Sequence, residues 1–138
     1  MRVTIFLGAT VLAGCLGGRE DPPPCAEYAQ GNFVITYTRT SGDCGPVDEA
    51  LAMLGGPISA DWERYPCSGT DIWSEDACNL RTEGWCAQNS MIGYLEWHFE
   101  ATASWVSPDV LAGTQALTFW LDGAPHCAGS YDIAFTRF

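Results

Sequence analysis

The sequence predicts a small all-β domain, an antiparallel β-sandwich or barrel with one short helix, stapled by disulfides. Three observations carry the prediction. Four stretches alternate apolar and polar residues with a period of two. The breaks between them are rich in glycine, proline, serine and aspartate. Six cysteines lie between positions 25 and 127. Period 2 with β-branched and aromatic residues is the mark of a strand with one buried face. An even number of cysteines in an exported chain implies a disulfide framework.

The first alternating stretch is "NFVITYTRT", residues 32–40. It sets Phe33, Ile35 and Tyr37 on one face and Thr36, Thr38 and Thr40 on the other. The next segment, "PVDEALAMLGGP", reads differently: Val47, Ala50, Leu51 and Leu54 fall at helical spacing. Pro46 suits a first helical position, Asp48 and Glu49 suit a first turn, and Gly55 suits an exit, so a short helix is predicted over about 46–54. Alternation resumes in "MIGYLEWHFE", residues 91–100, with Met91, Leu95, Trp97 and Phe99 on one side and Tyr94, Glu96, His98 and Glu100 on the other. "TQALTFWLD" aligns Leu117, Phe119 and Leu121, and "SYDIAFTRF" aligns Tyr131, Ile133 and Phe135. Asp122-Gly123 is a hairpin tip. Antiparallel pairing of 32–40 with 130–138 brings Cys44 near Cys127, and that disulfide is expected. Cys25, Cys67, Cys78 and Cys86 stay open, with Cys78–Cys86 across a hairpin preferred.

The N-terminus carries different information. Met1-Arg2 supplies one positive charge, and residues 3–14 carry none. Twelve apolar or small residues are too few for a membrane-spanning helix, which needs about 20, but suit a secretory signal peptide. The stretch ends in Leu12-Ala13-Gly14-Cys15. "LAGC" resembles the lipobox of bacterial lipoproteins, which signal peptidase II reads. The resemblance implies cleavage after residue 14, a diacylglycerol on the Cys15 sulfur and acyl chains that fix the protein to a membrane. A thiolate is the nucleophile such lipid transfer needs. Leu16, where the family places Asp for inner-membrane retention, implies the outer membrane rather than the inner. Residues 15–24 then read as a tether. Gly17-Gly18 is flexible and Pro22-Pro23-Pro24 favours an extended polyproline run. Residues 25–138 form the β domain.

Cleavage after residue 14 leaves 124 of the 138 residues, enough for one domain. Seventeen acidic residues then face five arginines, a formal charge of −12. That balance excludes nucleic acid, whose phosphates require a basic footprint. It also leaves membrane attachment to the acyl chains. The cysteines contain no Cys-x-x-Cys, so neither a zinc ribbon nor a thioredoxin-type site is indicated.

Three groups of residues could carry chemistry. Glu96, His98 and Glu100 share one strand face, with neighbours about 6.5–7 Å apart. They could bind a cation or hold a general base, although a solvated strand face has the same pattern. Asp71, Glu75 and Asp76 lie in the loop-like "CSGTDIWSEDAC" and offer oxygen ligands without EF-hand spacing. Among the six tryptophans, Trp120 falls opposite Leu117, Phe119 and Leu121, and Trp73 lies near a turn, which makes these two candidates for ligand stacking. No G-x-S-x-G, H-E-x-x-H or Gly-rich phosphate loop occurs, and no cofactor is implied.

"GNFVITYTRTSGDCGP" and "CAGSYDIAFTRF" together resemble the two ends of small cysteine-rich lipoproteins of high-GC Gram-negative bacteria, a group without a general activity. The Gly-x-aromatic opening is also similar to lipocalin-like barrels, although Phe33 stands where that pattern has Trp. The expectation is a non-enzymatic, lipid-anchored envelope domain that is structural or engages an envelope protein partner. The alternative is a domain that binds a small apolar ligand or a glycan.

Overall fold

The computed structural model describes residues 24–138. The expected signal peptide over 1–14, the expected lipidation site Cys15 and the expected tether, up to residue 23, lie outside the described residues. Within them the chain is all-β. Eight strands follow one another: β1 (Gln30–Gly42), β2 (Ala50–Gly55), β3 (Ala60–Arg64), β4 (Cys67–Trp73), β5 (Asn79–Ser90), β6 (Gly93–Ser107), β7 (Val110–Leu121) and β8 (Ala124–Arg137). They form one antiparallel sheet in the order β2-β1-β8-β7-β6-β5-β4-β3, curled into a half-barrel.

Alternation sets the inner face. Phe33, Leu111 and Tyr131 are fully buried there, with Leu117, Ile133 and Phe135 nearly so. The expected pairing of first and last strands is present, with Phe33 opposite Arg137 and Tyr37 opposite Ile133. Aromatic contacts cover the inner face: Trp73 stacks on Trp105, Trp62 on Phe99, and Trp97 leans on Phe119. Gly69 and Gly84 lie directly opposite each other under the Trp62 and Phe99 rings. A Cβ on Gly84 would stand 2.3 Å from the Phe99 ring, so the two glycines make the hollow that these rings occupy. The Asp122-Gly123 tip has φ of 50° and 79°, the left-handed pair that a two-residue turn between twisted strands requires.

Two expectations are corrected. No helix forms over 46–54. Residues 50–55 are strand β2, paired along β1 from Gln30–Gly55 to Ile35–Ala50. Ala50, Ala52 and Leu54 also satisfy a period of two, and the free edge of β1 gives that period a hydrogen-bonded partner. A lone helix of about two and a half turns would be marginal without tertiary packing. Leu54 is buried while Leu51 is 72% exposed, which a shared helical face would not allow. The second correction concerns cysteines. Cys44–Cys127 forms as expected, but Cys78 bonds Cys25, and Cys67 bonds Cys86. Cys67 and Cys86 are direct cross-strand partners of β4 and β5. The reading of 78–86 as a hairpin fails because β5 already begins at Asn79, and its partner is β4.

Candidate functional site

The outer face of the sheet gathers the polar and aromatic residues that the inner face excludes. On β5, Glu83, Trp85 and Ala87 point outward in alternation; on β6, Glu96, His98 and Glu100 do so. The antiparallel register places Glu83 opposite Glu100, Trp85 opposite His98, and Ala87 opposite Glu96. On the other side of β6, Trp120 of β7 stands opposite Glu96. Directly opposed side chains on one face lie within contact range, so the register alone assembles this group.

The rings are ordered against one another. The Trp85 indole lies near-parallel to the His98 imidazole, with centroids 4.2 Å apart and planes 20° apart. Trp120 lies 5.7 Å from Trp85 at 25°. Trp85 remains 51% exposed. His98 Nε2 is 3.2 Å from Glu83 Oε1 and 4.0 Å from Glu100 Oε1. The His98 side chain is 20% exposed, against 45% for Glu83 and 53% for Glu100. Next to this group is a shallow depression of about 560 Å³, lined by Tyr65, Pro66, Trp85 and Glu96, among others. That volume falls in the range of small-ligand sites. The Cys67–Cys86 disulfide adjoins Trp85 in the chain and ties β5 to β4 at this point.

The residues expected from sequence are distributed as follows. His98 and Glu100 come together, but the carboxylate that joins them is Glu83 from the neighbouring strand, not Glu96. Among the described residues, Glu83, His98 and Glu100 are the group of three metal-ligating side chains whose donor atoms lie within 4.8 Å of one another. Trp120 is on the outer face, half-buried beside Trp85. Trp73 is 8% exposed and belongs to the core, where it offers no free ring face to a ligand. The acidic loop does not converge. Asp71 accepts a hydrogen bond from Trp62 Nε1, and the Asp76 carboxylate accepts from Ser74 Oγ at 2.6 Å and from the Cys78 amide at 3.0 Å. Those bonds hold the Asp76 carboxyl below its ordinary range, the Ser74 hydroxyl foremost. His126 is exposed. Glu83 and Trp85 are the residues that sequence reasoning missed. Their alternation in "RTEGWC" was a signal of a shared strand face, but only the register shows which face of β6 they meet.

Compared with protein-family models, curated proteins and solved structures, the chain matches none of them.

Proposed function

We propose that this chain is a lipid-anchored cell-envelope protein, tethered through Cys15, whose β domain is a non-enzymatic module that binds a saccharide on its outer face. The observation that carries the reading is Trp85, half-exposed and near-parallel to His98 and Trp120, beside a depression edged by Tyr65 and Glu96. Indole faces pack against the C–H face of a pyranose, and nearby carboxylates accept hydrogen bonds from its hydroxyls. The same carboxylates make the surface unsuited to a purely apolar ligand, which would strip them of water without replacing its hydrogen bonds. Aromatic pairs already occupy the inner face, which a lipocalin-like ligand would need. The formal charge of −12 that cleavage after residue 14 leaves favours neutral or basic sugars over anionic ones.

The test is a titration of the full-length protein in detergent with neutral and amino-sugar oligosaccharides, read by tryptophan fluorescence. A saturable change that Trp85→Ala abolishes is expected; no change at millimolar sugar would overturn the saccharide reading. Intact mass after membrane extraction checks the anchor separately. The expected mass is residues 15–138 plus acyl chains, with three disulfides.

A second reading rests on the β2 edge, where Leu51 and Met53 are 72% and 78% exposed on a strand that pairs on one side only among the described residues. Such an edge favours addition of an extended segment from an envelope protein partner.

A further inference from the structure

We propose that Glu83, His98 and Glu100 form a binding site for one borderline divalent transition-metal ion, of the class of Zn²⁺. The inference does not require the saccharide reading, although His98 stacks on the Trp85 ring that carries it; the metal's protein donors are these three side chains. One imidazole nitrogen and two carboxylate oxygens are a ligand set suited to zinc and its neighbours, whereas calcium and magnesium prefer oxygen alone. Metal–ligand bonds of about 2.0–2.2 Å put tetrahedral donor atoms roughly 3.3 Å apart. His98 Nε2 and Glu83 Oε1 already stand at 3.2 Å. Glu100 Oε1, at 4.0 Å, closes the remaining gap by a rotation that its exposed side chain is free to make.

Charge points the same way. Glu83 and Glu100 are direct cross-strand partners, an arrangement in which like charges destabilise a sheet. A divalent ion between them neutralises both carboxylates and leaves the imidazole uncharged. The ring that must donate Nε2 is held in place by its stack on Trp85, so little freedom is lost on binding. Three protein donors leave a coordination position open to water or a ligand. Competition from other side chains is small among the described residues. Their six cysteines are all in disulfides, and the other histidine, His126, is not in the group.

The test is calorimetric titration of the full-length, chelator-stripped protein with Zn²⁺ near neutral pH. One equivalent is expected to bind, with Ca²⁺ about tenfold weaker or worse. His98→Ala is expected to abolish this binding, and Glu83→Gln and Glu100→Gln to weaken it by about tenfold or more. Glu96→Gln and His126→Ala should leave it unchanged. The two Glu→Gln changes are isosteric and on exposed side chains, and circular dichroism checks that each variant folds. Absence of saturable Zn²⁺ binding up to millimolar would overturn the proposal. So would stoichiometric binding that His98→Ala and Glu83→Gln both retain, since that places the ion elsewhere.

Discussion

Gly84 shows how one residue decides local packing. The hydrogen at its α-carbon is all that the Phe99 ring leaves room for. Gly84→Ala forces that ring, and Trp62 stacked on it, to shift, and overpacking of this kind costs about 1–3 kcal/mol. Chemical denaturation should show that loss; a variant of unchanged stability would mean that the ring moves freely. His98 has the opposite character. Its surroundings come from Trp85, Glu83 and Glu100, two of them on another strand. The outward direction of His98 was readable from alternation in "MIGYLEWHFE". Which carboxylate reaches Nε2 was not, because Glu96 and Glu100 are equivalent along β6 and only β5 breaks that symmetry. Trp73 illustrates a different limit. A tryptophan near a turn reads as accessible, yet the last residue of β4 points inward against Leu80 and Trp105.

At the level of elements, β2 separates local from tertiary control. "PVDEALAMLGGP" contains a proline, two acids and a terminal glycine where a helix wants them, and its residues 50–55 still form a strand. Local propensity is a weak preference that an available sheet edge overrides. The two structures make different demands on the leucines. In the strand, Leu54→Ala should cost about 2–4 kcal/mol, while Leu51→Ala should stay within about 0.5 kcal/mol. Equal losses in the two variants would instead support the helix, on which both would face the core. Strands β6, β7 and β8 were legible because each carries a long alternating run bounded by turn residues. Strands β3, β4 and β5 were not: β3 is five residues with Trp62 alone among charged neighbours, and Gly69, Gly84 and the cysteines interrupt the apolar positions of β4 and β5.

For the whole molecule, the sheet is meander-like from β3 to β8, and β1 closes onto β8. Cys44–Cys127 joins residues 83 apart in sequence, next to that closing contact. A cross-link over so long a loop restricts the unfolded chain most, and removing it with Cys44→Ala and Cys127→Ala together should cost about 2–4 kcal/mol. A double variant with unchanged thermal stability would show that the β1–β8 pairing needs no staple. Arg137 reinforces the same region. Its guanidinium donates to the carbonyls of Tyr28 and Gln30, pairs with Asp109 at 3.3 Å and lies over the Phe33 ring.

By itself, the sequence determined the all-β class, the faces of the alternating strands, the Asp122-Gly123 tip and the Cys44–Cys127 bond. Each follows from side-chain periodicity or turn chemistry within a few residues, plus the single assumption that the first and last strands pair. Only the tertiary structure decided the strand identity of 50–55, the Cys25–Cys78 and Cys67–Cys86 bonds, and the meeting of Glu83 and Trp85 with His98. All of these depend on strand order and register. A shift of one residue between β5 and β6 would put His98 on the face opposite to Glu83 and Trp85.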